Sequence, residues 1–529
     1  MKILKEVNQK HKVNSIDNSM LILLTIIGIG FLIRFYYIPF QIPISLDGSD
    51  YFIYAVAMYK ENLFPTGYLL TNFGWPTFVS MFFFFFQDSE MIHMMNIQRI
   101  LSIGISVVAT IPIYLLCKNF FRKEIAILGA SLFLFDPRII ENSILGLPGS
   151  LFILFSVLTI LFVFHKESKF FYLSFVFVGL AAFVRYEGLI LIIPVGIAVL
   201  LKYKERKISK KNISLGITLF LIIIIPVNFI GFENEGELHI FTHFAGGGNY
   251  FSEHIINEIP DIDDKYFGED NENRILTFFY NASSNYIKYL GWIMIPILII
   301  FVVVGIIFIK KSITKNKIIF IIFFCFLSIP GLYAYARGIE ETKYLLVLIP
   351  LLCLLSCYGF DYFRKKYNVR MILLVVISGI IVSSIIFVEY RNQSNIEELE
   401  IFQATKFLVQ EADGVNNYYG NKYVKIAELE NSWPELLPKG QHGKMTFTTE
   451  KYPIEGFDNP LEYIELNKDN NLSHLLITKD NKNGFFDDIY INEDNYPFLE
   501  KIYDSTKLEM NTKYKIFKIN FERLNEYEK

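Results

Sequence analysis

Two carboxylates stand three residues apart in Ile44-Ser45-Leu46-Asp47-Gly48-Ser49-Asp50-Tyr51-Phe52-Ile53-Tyr54. A carboxylate beside aromatic rings at a membrane surface is suited to general-base work. If the chain turns helical at Ser49, Asp50 and Tyr54 fall on one face. A helix cap or a solvated loop is the plainer reading of Asp47. Asp50 and Asp47 are both carried as candidate catalytic residues. Further along the same segment, Lys60 could face a phosphate or simply snorkel.

Three other groups of charges could do chemistry. Phe135-Asp136-Pro137-Arg138 continues to Glu141, and Asp136 and Glu141 are candidates for binding substrate, with an Asp136–Arg138 ion pair as the alternative. Arg185 and Glu187 interrupt an apolar stretch, where a charge is expensive and usually has a function or a partner. Arg337, Glu340, Glu341 and Lys343 precede the run Tyr344-Leu345-Leu346, and two cations at headgroup level suit a lipid phosphate. His239, His243 and His254 surround Gly246-Gly247-Gly248, which reads as a mobile loop with solvated histidines. Cys117, Cys325, Cys353 and Cys357 show neither metal spacing nor a disulfide framework. No metal is required, though Asp47, Asp50 and Asp136 could hold a divalent cation.

These residues need elements to position them, and the composition says which kind. Of 529 residues, 53% are hydrophobic and only 19% charged, too few charges for a soluble chain of this length. A net charge of −3 argues against a nucleic-acid partner. A membrane-spanning helix needs roughly 20 apolar residues. About eleven candidates follow, near 20–40, 92–117, 125–143, 147–165, 170–184, 187–201, 213–231, 286–309, 318–336, 344–360 and 371–390. The first is read as an uncleaved signal-anchor. With the N-terminus cytoplasmic, the inside segments carry about 23 Lys and Arg against 6 acids, while 232–285 carries about 11 acids against 2 bases.

That asymmetry places the outside loops at about 41–91, 136–147, 232–285 and 337–343. The expected organisation is an α-helical polytopic membrane domain over 1–392 and a small extracytoplasmic α/β domain over 393–529. The tail holds β-like runs at Tyr423–Ala427 and His474–Thr478, with a turn at Asp480 to Gly484. The run Trp75 to Phe86 is short for a span and suits the membrane interface. No internal repeat is visible, which weighs against the competing class, a multi-pass transporter or flippase of a lipid-linked or small polar substrate.

In order and topology these motifs resemble the GT-C superfamily of membrane glycosyltransferases, in the branch of the protein O-mannosyltransferases and the bacterial aminoarabinose and lipopolysaccharide-core transferases. The resemblance rests on Ser49-Asp50-Tyr51-Phe52-Ile53-Tyr54-Ala55 followed by Pro65 and Pro76, on Gln98-Arg99-Ile100, on Ala181 to Gly188, and on Lys343-Tyr344-Leu345-Leu346 to Pro350. It covers roughly residues 20–390. It implies a polyprenyl-phosphate sugar as donor and an extracytoplasmic lipid, glycan or protein as acceptor. Asp50 would then be the base of an inverting displacement, and Arg185, Arg337 and Lys343 would stabilise the leaving phosphate. Two departures stand out. Gly146-Leu147-Pro148-Gly149-Ser150-Leu151 lacks the family's Glu, so a second-loop carboxylate role falls to Asp136 or Glu141. The Trp-Trp-Asp-Tyr-Gly signature of oligosaccharyltransferases is missing, Trp433 being followed by Pro434.

Overall fold

The computed structural model describes residues 18–61, 64, 72–86, 89–203, 208–235, 238–250, 252, 274–294, 296–309, 314–364, 368–392, 394–412, 418–433, 452, 457, 459–479, 484–507 and 513–527. The chain divides into two compact units. The first comprises 1–38, 71–75 and 99–388, and the second 39–70, 76–98 and 389–529.

The first unit is helical. It holds α1 (Asn18–Tyr36), and the second unit takes up α2 (Asp47–Glu61) and most of α3 (Gly74–Phe83). Helix α4 (Met91–Lys118) enters the first unit at Arg99 and is followed by α5 (Lys123–Leu134), α6 (Pro137–Ile144), α7 (Gly149–Val163) and α8 (Tyr172–Val184). Then come α9 (Ile192–Tyr203), α10 (Lys210–Glu235), α11 (His239–Tyr250), α12 (Arg274–Ile293), α13 (Pro296–Ile309), α14 (Lys315–Ala336), α15 (Ile349–Arg364) and α16 (Val369–Asn392). Buried side chains such as Ile125, Leu132, Val157, Val178, Leu191, Leu348 and Leu354 form its interior. Leu21, Leu32, Ile222, Leu374 and Ile386 are exposed, as expected of faces turned to lipid.

The chain is a mostly helical, multi-span membrane protein. Helices occur at every one of the eleven expected positions, but they are less uniform than expected. Among the described residues six are long and apolar enough to cross a membrane: Ser19–Tyr36, Met91–Lys118, Lys210–Glu233, Lys315–Ala336, Thr342–Arg364 and Met371–Glu411. A seventh arises if α12 and α13, bent by 118°, count as one span. The expected span 125–143 is divided at Asp136 into α5 and α6, because Pro137 is suited only to a helix's first turn. Segments 147–165 and 170–184 give the shorter apolar helices α7 and α8. The expected mobile tri-glycine loop is a correction too: Gly246, Gly247 and Gly248 lie within α11. His254 and the acidic run 253–273 fall outside the described residues.

The second unit ends in a small α/β domain, as expected. Helices α17 (Ser394–Glu411), α18 (Val424–Ser432), α19 (Pro460–Lys468), α20 (Gly484–Ile491) and α21 (Phe521–Tyr527) pack with β1 (Tyr418–Tyr419), β2 (His474–Thr478), β3 (Leu499–Asp504) and β4 (Tyr514–Ile519). The sheet order is β1-β2-β4-β3, with β1 parallel to β2 and the other pairs antiparallel. Tyr463, Leu475, Ile477, Phe486, Ile489, Phe498 and Phe517 form its core. The strand expected at Tyr423–Ala427 is instead the start of α18. Tyr423, Val424, Ala427 and Glu428 are all buried, the i, i+1, i+4, i+5 pattern of a helix face.

Candidate functional site

In the first unit, two helix breaks of the same form bring charge into an apolar setting. Helix α8 ends at Val184, Arg185 is extended (φ −147°, ψ 126°), and Tyr186–Leu191 winds as a 3-10 turn into α9. Helix α14 ends at Ala336, and Gly338 takes φ 77° to close it. Glu341 is then extended (φ −122°, ψ 135°), and Thr342–Leu348 winds as a 3-10 turn into α15. A tightened first turn lets a charged residue leave the helix axis without stranding its neighbours' N–H groups.

The two breaks meet at one pocket. It is lined by Arg185, Glu187, Lys343 and Tyr344 on its polar side, and by Phe152, Leu327, Pro330, Leu346 and Val347 among its apolar walls. Arg185 bonds Glu187 with two nitrogens, Nη2 to Oε1 at 2.7 Å and Nε to Oε2 at 3.3 Å. Their side chains are only 15% and 11% exposed. The guanidinium carbon lies 5.9 Å from the ring centres of both Phe152 and Tyr344. Lys343 reaches Glu341 at 2.6 Å and hovers 5.7 Å from the Tyr344 ring. The free volume is about 20 Å³, room for a water, so a phosphate would have to widen it.

A segment from far earlier in the chain braces the Arg185 corner. Asn72 Oδ1 accepts the Tyr186 N–H at 3.1 Å. A Cβ on Gly74 would meet the Phe183 carbonyl at 2.7 Å, and one on Gly188 would meet the Ala181 backbone at 2.5 Å, so both positions demand glycine for close approach. Trp75, fully buried, donates its indole N–H to the Gly146 carbonyl at 3.0 Å. Composition alone suggests no more than an interfacial role for the run that begins at Trp75.

The structure brings Arg185 and Lys343 together, but Arg337 does not line their pocket; its guanidinium faces the Tyr333 ring at 5.8 Å. Asp136 is fully buried and caps α6, its Oδ1 accepting the Arg138 and Ile139 N–H groups at 3.0 and 3.1 Å. The ion pair runs from Arg138 to Glu141 at 3.0 Å rather than to Asp136. Asp136 and Glu141 therefore serve a cap and a pair.

In the second unit, α2 carries the other candidates. Leu46 sits at φ 52°, in the left-handed region that costs a non-glycine residue energy. Ser49 Oγ donates to the Leu46 carbonyl at 2.6 Å. Buried Gln98 donates to the Gly48 carbonyl at 3.1 Å, and Asn96 to the Phe40 carbonyl at 2.9 Å. This bracing aims the first turn of α2, which holds Asp47 and Asp50. Asp47 is exposed, Asp50 half-buried and Tyr54 buried. Asp50 Oδ1 lies 3.6 Å from Lys425 Nζ. Lys60 stands 5.0 Å over the ring of Trp433, which also stacks on Phe52 at 6.5 Å. Lys425 and Trp433 were not among the sequence candidates. Among the described residues no three His, Cys, Asp or Glu side chains gather as a metal ion would need.

Residues 78–230 match the family model described as dolichyl-phosphate-mannose-protein mannosyltransferase. That stretch contains α4 to α9, and with them Asp136, Glu141 and Arg185. The fold is shared with the oligosaccharyltransferase of Archaeoglobus fulgidus, solved with Zn and sulfate, at 12% identity and TM-score 0.54 over 92% of this chain and 72% of that one. The archaeal oligosaccharyltransferase AglB from the same organism, solved with an inhibitory peptide and a dolichol-phosphate, is similar at 11% identity and TM-score 0.52, over 93% and 74%. ArnT from Cupriavidus metallidurans, solved with undecaprenyl phosphate, is similar at 10% identity and TM-score 0.50, over 94% and 97%. No curated protein matches the chain in sequence. The chain thus has the fold of these membrane enzymes over most of its length. Its resemblance to the mannosyltransferase family is confined to residues 78–230.

Proposed function

We propose that the protein transfers a sugar from a polyprenyl-phosphate donor to an extracytoplasmic hydroxyl on a lipid, glycan or protein, with inversion at the anomeric carbon. The observation that carries this reading is the pocket in which Arg185 and Lys343, from separate helix breaks, face apolar walls. A charged phosphate on an apolar tail matches that pairing of cations with apolar surface. Cations serve this reaction better than an acid, because the leaving phosphate carries its own negative charge.

In the proposed step the acceptor oxygen attacks the anomeric carbon as its proton passes to Asp50. The bond from that carbon to the phosphate oxygen breaks, and the phosphate keeps the electron pair. Asp47, exposed one turn earlier, is the alternative base. The excess of Lys and Arg in the segments read as cytoplasmic supports an inside N-terminus and an outside C-terminal domain. The test is transfer by the purified protein from synthetic polyprenyl-phosphate sugars, read by mass spectrometry. Asp50→Asn should lower turnover about 10²–10⁴-fold. Full activity in Asp50→Asn with a dead Asp47→Asn would move the base to Asp47, and full activity in both would refute the assignment.

A further inference from the structure

The C-terminal domain reaches the helix that carries Asp50, and both belong to the same compact unit. Among the described residues, Lys425 and Trp433 make contacts that join them. At one end of α18, Lys425 lies 3.6 Å from Asp50 Oδ1. Just past the other end, Trp433 stacks on Phe52, accepts Lys60 over its ring at 5.0 Å, and donates its indole N–H to the Ser89 carbonyl at 3.3 Å. Helix α18 is itself held firmly. Lys406 of α17 pairs with Glu430 at 2.8 Å, Lys422 with Glu398 at 2.6 Å, and the Tyr423 hydroxyl donates to Glu398 at 2.6 Å. Lys425 is thus presented from a fixed element, not from a loose tail.

We propose that Lys425 is a positioning residue for Asp50, so that the C-terminal domain completes the reacting end of the enzyme. The proposal rests on the reading of Asp50 as the base. The pair is partly exposed, 26% for Lys425 and 45% for Asp50, so it adds little to stability. Its value is directional. A carboxylate on the first turn of a helix can swing about two side-chain bonds, and an ammonium on one oxygen restricts that swing. Displacing a reacting group by about 1 Å can cost on the order of 10²-fold in rate. Trp433 keeps α18 seated, and its contacts with Phe52 and Lys60 set the distance between the two elements. The same arrangement gives the appended domain a task that its fold alone does not suggest.

The experiment compares Lys425→Met, Lys425→Arg, Asp50→Asn and the Asp50→Asn/Lys425→Met double variant of the full chain, using donor KM, kcat and melting temperature. Lys425→Met should lose roughly tenfold or more in kcat, with donor KM and melting temperature nearly unchanged. Lys425→Arg should recover most of that loss. In the Asp50→Asn background, Lys425→Met should add nothing, because the group it positions is gone. Wild-type kcat in Lys425→Met overturns the inference, as does an equal loss in the Met and Arg variants accompanied by a lower melting temperature. An additive double variant overturns it too. If Asp50→Asn is itself fully active, the proposed function has failed rather than the contact with Lys425.

Discussion

Replacing Arg185 by Met should damage stability and catalysis together, and a second substitution should separate the two. Arg185 and Glu187 are 15% and 11% exposed and are joined by two hydrogen bonds, with Phe152, Leu327 and Leu346 around them. Removing the cation leaves a carboxylate in an apolar pocket without its partner. Breaking a fully buried pair costs about 3–5 kcal/mol. The residual exposure here lowers the expectation to about 2–3 kcal/mol. If Arg185 also holds the donor phosphate, a charge-assisted hydrogen bond worth about 1.5–3 kcal/mol goes with it, a loss of roughly 10- to 150-fold in kcat/KM.

Glu187→Gln in the same chain removes the stranded charge. The Arg185→Met/Glu187→Gln variant should therefore regain most of the lost stability while remaining catalytically impaired. Melting followed by tryptophan fluorescence and transfer from a synthetic polyprenyl-phosphate sugar, both in detergent, read the two quantities separately. A double variant with wild-type kcat/KM would refute the phosphate role. It would mean that Arg185 serves only to neutralise Glu187, and that the pocket is a structural salt bridge in a membrane interior.

Asn72→Ala should leave the Tyr186 N–H without its acceptor, costing about 1–3 kcal/mol in melting experiments, and should lower kcat/KM by loosening the Arg185 corner. Asp136→Asn keeps an oxygen to cap α6 and should retain most of the activity, whereas Asp136→Ala should lose about 1–2 kcal/mol of stability. In the C-terminal domain, burial opposes ionisation of Asp504, but hydrogen bonds from Thr506 and Lys501 outweigh it and bring the carboxyl down to about 2. Its folded pKa lies below the ordinary 3.8, so its stabilising contribution is complete above about pH 4 and disappears as pH falls through about 2. Hydrogen exchange in β3 and β4 should show that acid dependence in the wild type and a flatter one in Asp504→Asn. Protease added to intact spheroplasts should release the fragment after about Tyr390, and protection of that fragment would reverse the proposed orientation.

Much of the fold was legible because lipid-facing helices are written in composition. Every apolar run became helix, and His474–Thr478 became the strand β2. Composition placed the breaks at Arg185 and before Lys343, but it could not show their form, a 3-10 turn after each, nor the break at Asp136 within the run 125–143. The short run Tyr423–Ala427 misled for a related reason. Tyr, Val and Ile favour strands in isolation, but packing against α17 buried them at helical spacing instead.

The candidate site divided along the same line. Residue type was enough to single out Asp50, Arg185 and Lys343, since a charge in an apolar chain draws notice by itself. The residues that hold them carry no such signal. Asn72 lies 114 positions from Tyr186, and Lys425 sits in a tail rich in ordinary surface lysines. Gln98 stands between these cases. The sequence marked it as part of a motif without saying why, and its bond to the Gly48 carbonyl supplies the reason by fixing the turn that presents Asp50. Charges at such a site are thus visible one residue at a time, whereas their aim depends on pairings between distant segments. In this chain several of those pairings are made by the amides of Asn72, Asn96 and Gln98 and by Lys425, side chains inconspicuous in a sequence whose substitution tests the mechanism.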